Sequence, residues 1–347
     1  MDQSAPINVA EFEPLARASM DAAAWDYYAG GADDELTLAD NLDALRRLRL
    51  RPRVLVDVTE RSLGTTAFGA ELGVPIIVAP TAARSLAHPD GDLAVARGAA
   101  SIGALMTLST IAERPLEEVA SAAPGGPRWF QLYASTDEAA TRSLVERAVV
   151  AGYGAVAVTV DLPFAGNRER DARSGFVVPL GVHLPAEHPV DEHGLVITSA
   201  FDWEWLAWLR TICPIPLVAK GILRADDAVR AIDAGCDGVW VSNHGGRQLD
   251  GSVTAVDALP EIVEAVGHRG LIVADGGVRR GTDALKLLAL GAGLVAIGRP
   301  ILWGLAVDGE AGVRRVLEIL RDELSLAMAL CGCRSLDEIT PDLLAQT

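Results

Sequence analysis

Eight short apolar runs, separated by amphipathic stretches, constrain the fold of this chain more than any other feature. They are VPIIVAPT (74–81), ALMTLST (104–110), RWFQLY (128–133), AVAVTVD (155–161), IPLVAKG (215–221), GVWVSN (238–243), GLIVADGG (270–277) and GLVAIGR (293–299). Several are apolar almost throughout, as strands buried on both faces are, whereas a strand with one wet face alternates. The spacers carry helix signals. In GTDALKLLALGAG (281–293), Thr282 is expected to cap a helix whose Leu285, Leu288 and Ala289 share a face, and Gly291 to stop it. In ILRADDAVRAIDAG (222–235), Asp226 and Asp227 fall in the first turn, where the helix dipole favours them. Val229 and Ile232 are expected on its inner face, and Gly235 at its end.

Eight strand–helix units in a row predict an α/β fold, a parallel (β/α)₈ TIM barrel. A doubly wound open sheet is the other solution, but the GxGxxG turn that follows its first strand is absent. The expected organisation is one domain over residues 1–347. Residues 1–70 form an N-terminal helical extension, 71–310 the barrel and 311–347 a C-terminal helical segment, with one amphipathic helix over 312–333 stopped near Gly332. Residues 162–200 break the period. They follow the fourth strand, where a barrel enzyme places an active-site loop.

Composition narrows the function classes. Half of the 347 residues are apolar and 22% are charged, which excludes a disordered chain. Lys plus Arg total 30 against 47 Asp plus Glu, a net charge of −17. Bulk electrostatics therefore holds this chain to neither nucleic acid nor anionic membrane, and no such partner is expected. No run approaches the ~20 apolar residues of a membrane helix. The opening MDQSAPINVAEFEPLARASM lacks the basic start and apolar run of a secretory signal, so the expected location is cytoplasmic. Cys213, Cys236, Cys331 and Cys333 make no disulfide framework and lack zinc-site spacing. His183, His188 and His193, with Glu187, Asp191 and Glu192, sit in the irregular loop without ligand spacing, so no metal is expected. Trp203, Trp205 and Trp208 read as helix packing, and Cys213 and Cys236 as small core residues.

A barrel does its chemistry at the C-terminal ends of its strands. In order, those ends offer Thr81; Ser109; Gln131 and Tyr133; Thr159 and Asp161; Lys220; Ser242, Asn243 and His244, followed by Gly245, Gly246 and Arg247; Asp275, Gly276, Gly277 and Arg279; Gly298 and Arg299. A single polar end needs no more than a backbone group to satisfy. Polar groups at all eight ends imply one shared ligand. DGGVRRG (275–281) and IGRP (297–300) bring backbone N–H groups, with Arg279 and Arg299, to the usual phosphate position of this fold. His244 can take a proton near neutral pH, and Arg247 can grip a carboxylate with a two-point fork. The pair implies an acid substrate attacked at the carbon beside its carboxylate. Asp161 is placed to stabilise a protonated His244.

APTAARSLAHPDGD (79–92), WFQLY (129–133), TVDLP (159–163), VSNHGGRQLDG (241–251), DGGVRRGTDALKLLALGA (275–292) and IGRP (297–300) resemble the FMN-dependent 2-hydroxy-acid oxidases and dehydrogenases. DYYAGGADDE (26–35), RPRVLVDV (51–58) and MALCGCRSLDEI (328–339) resemble the family's terminal segments, so the likeness spans nearly the whole chain. It is greatest towards the glycolate oxidases. The resemblance implies that Pro80, Thr81 and Ala82 line FMN, that Ser109, Gln131 and Thr159 bond its ring edge, and that Lys220 stabilises negative charge on the reduced ring. Ser242 would assist the cofactor site. Asp275, Gly276, Gly277, Arg279, Gly298 and Arg299 would hold the ribityl and phosphate groups. His244 would be the base, with Asp161 behind it. Tyr27, Arg168 and Arg247 would bind the carboxylate, and Tyr133 the hydroxyl or developing oxyanion.

The implied reaction is oxidation of a small (S)-2-hydroxy acid to the 2-keto acid, with oxygen as acceptor and hydrogen peroxide as product. The resemblance also implies a homo-oligomer, a tetramer. A family dehydrogenase that reduces a quinone or protein, a flavin-barrel isomerase and a non-catalytic flavin-binding protein are the alternatives. Arg84 replaces a Gln, and Ile111 a Trp, of the glycolate oxidases, and both are expected near the substrate end. Ile111 implies room for a substrate bulkier than glycolate. Ala82 replaces the Gly of some dehydrogenase members, and the loop after the fourth strand reads as shorter than usual.

Overall fold

A computed structural model describes residues 5–133, 135, 137–179, 181–183, 190–191, 194–195 and 201–345. The eight apolar runs form β1 (Ile76–Val78), β2 (Met106–Leu108), β3 (Arg128–Tyr133), β4 (Val156–Thr159), β5 (Leu217–Ile222), β6 (Gly238–Val241), β7 (Leu271–Ala274) and β8 (Leu294–Ile297). They pair in parallel and in sequence, and β8 closes on β1 through Val295↔Ile76, Ala296↔Ile77 and Ile297↔Val78. The fold is the closed (β/α)₈ barrel that the periodicity predicts.

Strand periodicity explains where the chemistry falls. Alternate residues of a strand face the same side. Ile77, Leu105, Trp129, Ala157, Val218, Trp240, Val273 and Ala296 fill the barrel interior. Two or four residues further along the same chains stand Thr81, Ser109, Gln131, Thr159, Lys220, Ser242, Asp275 and Gly298. The interior is thus apolar below and polar at its C-terminal mouth. A hairpin (Thr65–Ala67 and Ala70–Leu72) closes the other end, with Phe68 set 5.5 Å from the Trp129 ring. The sequence reading of residues 1–70 as helices and connector did not include this hairpin.

The extension contributes α1 (Phe12–Ser19), α2 (Ala22–Ala29) and α3 (Leu36–Arg47). Asp250 caps α3 by accepting from the N–H groups of Leu36 and Thr37 at 3.2 and 2.8 Å. Several helix expectations need correction. The helix at 281 is entered at Arg280, and Asp283 rather than Thr282 accepts the free N–H groups there. In the helix Ala225–Asp233, Ala228 and Ala231 are the buried residues, while Val229 and Ile232 are half-buried. The C-terminal helix follows a break at Asp308 and Gly309 and ends at Gly332 in the left-handed region (φ 71°). Within 162–200, the described residues include a short helix (Glu169–Ser174) and paired strands at 190–191 and 194–195. His188, His193, Glu187 and Glu192 lie outside the described residues.

Candidate active site

A cavity of about 410 Å³ occupies the C-terminal mouth of the barrel. At the ends of β1 to β5 its wall is formed by Pro80, Thr81, Ala82, Ser109, Gln131, Tyr133, Thr159 and Lys220. At the ends of β6 to β8 it is formed by His244, Arg247, Asp275, Gly276, Gly277, Arg279, Gly298 and Arg299. Tyr27 reaches it from α2, and Arg168 from the residues before the helix Glu169–Ser174. Asp161 and Ser242 do not line it; each stands behind a residue that does, His244 and Asp275.

His244 has φ 57°, a left-handed conformation uncommon for a residue with a side chain, and Gly245 and Gly246 continue the turn. A Cβ on Gly246 would lie 2.7 Å from the Leu38 backbone nitrogen, so this turn packs directly on α3. The turn carries His244 Nδ1 to 3.0 Å from Asp161 Oδ1. With Nδ1–H donated to the carboxylate, Nε2 of the neutral ring keeps its lone pair and can accept a proton. Burial lowers the His244 pKa below its ordinary value, and the Asp161 charge opposes that shift. Burial alone would raise the Asp161 carboxyl. The charge and hydrogen bond of His244, with Lys220, hold it below the usual range. Gly221, at φ 109°, makes room for this pair: a Cβ there would sit 2.4 Å from Asp161 Cγ.

Arg247 stacks over the Tyr27 ring at 4.8 Å and donates to the carbonyls of Tyr27 and Gly30 at the end of α2. Arg299 donates to the carbonyls of Tyr28, Gly245 and Gly30 at 2.9, 3.0 and 2.9 Å. Arg299 therefore ties α2 to the barrel mouth while it lines the cavity. Arg279 lies over the Trp303 ring at 4.7 Å. Burial, then Arg168, lowers Arg247 to about 10; burial, then Arg247 and Arg279, lowers Arg299 to about 9. Burial lowers Arg279 to about 10. Three desolvated cations at one mouth are the electrostatic signature of an anion site, inside a chain of net charge −17.

The rest of the mouth is polar and hydrogen-bonded. Gln131 donates to Thr159 Oγ1 at 2.9 Å and accepts from the Thr110 N–H at 3.1 Å and from Ser109 Oγ at 3.3 Å. Asp275 accepts from Ser242 Oγ at 2.8 Å and Trp240 Nε1 at 2.9 Å, and Lys220 Nζ lies 3.5 Å from Ser242 Oγ. Burial raises the Asp275 carboxyl, while Lys220 and the two hydrogen bonds oppose it. Burial, then Tyr27, pushes the Tyr133 phenol up, so it stays protonated as a donor.

Residues 16–346 match the FMN-dependent dehydrogenase family. The chain belongs to that family. An L-lactate oxidase from Nostoc is 49% identical, with 98% of each chain covered. A glycolate oxidase from Spinacia oleracea is 46% identical, covering 96% of this chain and 94% of that one. Among solved structures, a mandelate oxidase is similar at TM-score 0.91 with 40% identity over 99% of both chains.

FMN is the family's cofactor, and the site fits it. The cations at β7 and β8 suit a phosphate, and Gly276 and Gly277 (φ 104° and 79°) let that turn pass close against Asn41 of α3, where a Cβ on Gly277 would lie 2.0 Å from the Asn41 carbonyl oxygen. Gln131, Thr159 and Lys220 offer donors to a flat polar ring. No group of three or more His, Cys, Asp or Glu among the described residues could hold a metal ion.

The expectation for Arg84 is overturned. Its side chain is fully buried, paired with Asp92 at 2.9 Å, and does not line the cavity. Ile111 does line it, beside Leu162, Phe176 and Val178. His183 is structural: its Nε2 accepts from the Leu116 N–H at 3.0 Å and its Nδ1 lies 3.3 Å from the Thr110 carbonyl. Sequence reasoning missed the supports: Trp240 under Asp275, Thr110 behind Gln131, and the reciprocal Asn41–Asn243 amide pair at 3.0 and 2.8 Å. It also missed Gln248, which donates to the carbonyls of Asp161 and Phe164 at 3.0 and 2.9 Å. A strand-end Asn and a Gln beside the reactive turn were the available signals.

Proposed function

We propose that this enzyme oxidises an (S)-2-hydroxy acid to the 2-keto acid and returns the electrons to oxygen, giving hydrogen peroxide. The carrying observation is the His244–Asp161 pair at 3.0 Å opening into the same cavity as Arg247, Tyr133 and Lys220. Bound FMN supplies a two-electron acceptor. Arg247 and Arg168 hold the substrate carboxylate, and Tyr27 stacks on Arg247 to fix its plane. Tyr133, kept protonated by burial, donates to the substrate oxygen. His244 Nε2 takes the proton, and Asp161 stabilises the imidazolium that forms. Lys220 would stabilise negative charge on the bound cofactor. Pro80, Thr81, Ala82, Ser109, Gln131 and Thr159 hold the ring, with Ser242 positioning Asp275. Asp275, Gly276, Gly277, Arg279, Gly298 and Arg299 hold the ribityl phosphate.

The apolar wall of Ile111, Leu162, Phe176 and Val178 favours a side chain larger than that of glycolate. Residues 1–347 act as one unit, because α2 supplies Tyr27 and carbonyl partners for two site arginines. We place the enzyme in the cytoplasm, a reading supported by four unpaired cysteines. Among the described residues no helix is long and apolar enough to cross a membrane. We propose a homotetramer, with exposed Val54, Leu55, Leu326 and Leu330 as apolar surface for contacts between copies. The test is peroxide formed per substrate consumed in air. One per turnover supports the oxidase; substrate-reduced flavin that yields no peroxide means a dehydrogenase with another acceptor.

A further inference from the structure

Arg84 and Asp92 play no part in the chemistry assigned above, yet they place a full ion pair in the interior beside the cofactor wall. Their side chains are 0% and 2% exposed. Every donor nitrogen of Arg84 is used. Nη1 donates to Asp92 Oδ1 at 2.9 Å, and Nη2 to the carbonyls of Ala79 and Thr107 at 3.0 and 3.3 Å. Nε donates to Thr81 Oγ1 at 2.8 Å. A buried ion pair is weak as a source of stability, since well-packed apolar residues often do as well. Its reach to Thr81 calls for another role.

Thr81 Oγ1 accepts from a cation, and its own proton has no acceptor among the described residues. The side chain lines the cavity. The loop that carries it is fixed: Tyr28 Oη donates to the Ala83 carbonyl, the Ala83 N–H donates to the Ile111 carbonyl at 3.1 Å, and Ala83 sits at φ 51°. A hydroxyl that accepts a charge-assisted bond becomes a stronger donor, because bonds in a chain polarise one another. The pair itself is neutral overall, so its influence on the cavity is local and runs through this one oxygen.

We propose that Arg84 and Asp92 are positioning residues that polarise the Thr81 hydroxyl, so that it donates to an acceptor atom of the flavin ring and raises the ring's electron affinity. The proposal rests on the FMN reading above. A donor at the ring is worth more once the ring gains negative charge, so it favours the reduced form.

The test equilibrates FMN-loaded protein with a reference dye and reads the ratio of reduced to oxidised flavin. Thr81→Val should lower that ratio about tenfold, which is about 30 mV for a two-electron couple. Thr81→Ser should restore it. The charge-conserving double change Arg84→Gln with Asp92→Asn should lower the ratio several-fold in the parent and add nothing once Thr81 is Val. A parent-like ratio in Thr81→Val overturns the proposal, and this arm stands even where the double variant does not fold. An equal shift by the double change with and without the Thr81 hydroxyl also overturns it. A protein that takes up no FMN instead overturns the functional reading, and lack of flavin colour distinguishes that failure.

Discussion

Replacing Asp161 with Asn removes one negative charge from behind His244 while keeping the shape of the side chain and an oxygen that can accept from Nδ1. The 3.0 Å contact makes this the partner that an imidazolium would feel most. Taking the two delocalised charges as about 4 Å apart with an effective dielectric constant of about 20, their attraction is about 4 kcal/mol. At 1.36 kcal/mol per decade that is about three decades of rate, reduced to roughly 10²–10³ by the hydrogen bond that Asn retains. Stopped-flow mixing of the FMN-loaded variant with substrate in the absence of air reads the step directly. The pH profile supplies a second sign. The base must be neutral, so the rate rises with pH through the His244 pKa, which already lies below its ordinary value. Asp161 raises that pKa, so its loss should move the acid limb to lower pH while the plateau falls. A plateau within threefold of the parent, or an acid limb moved to higher pH, would refute the pairing.

Gly221→Ala should act on the same pair from the other side, because its Cβ would meet Asp161 Cγ at 2.4 Å and its φ of 109° disfavours a side chain. FMN reduction should slow at least tenfold with the cofactor still bound, as read by stopped flow and flavin absorbance. Arg247→Lys keeps the charge but loses the two-point fork and the stack on Tyr27, so KM for the 2-hydroxy acid should rise roughly 10- to 100-fold, about 1.5–3 kcal/mol. Ile111→Trp should narrow the apolar end of the cavity and shift relative kcat/KM towards glycolate and away from aromatic or long aliphatic acids, measured across a substrate panel.

What was legible in the sequence followed from periodicity. The apolar runs marked strands buried on both faces, and their polar ends marked Ser242, Lys220 and Asp275 at the mouth, whereas the interior positions such as Trp240, Val218 and Val273 emerged only with the closed barrel. The SNHGGRQLD segment was legible as a site, but most of its work was not. Ser242 bonds Asp275, Asn243 pairs with Asn41, Gln248 holds the chain around Asp161, and Asp250 caps α3. Those partners are 33 to 214 residues away, and local pattern carries no information at that range. Arg84 misled for a physical reason. Its place in the first-strand loop put it near the substrate end, but the Asp92 that draws it into the interior belongs to the following helix. Arg299 was legible as a cation at the cavity but not as a cap for α2, because helix and barrel meet only in the folded chain.

The central claim is that His244 is the base that starts transfer of two electrons from a 2-hydroxy acid to bound FMN. It is tested most directly by mixing FMN-loaded parent and His244→Ala proteins with saturating substrate under anaerobic conditions and following the visible flavin band. The account predicts rapid bleaching of the parent and a variant that stays yellow, slowed by at least 10³-fold with its FMN retained. Bleaching of His244→Ala at the parent's rate would contradict it.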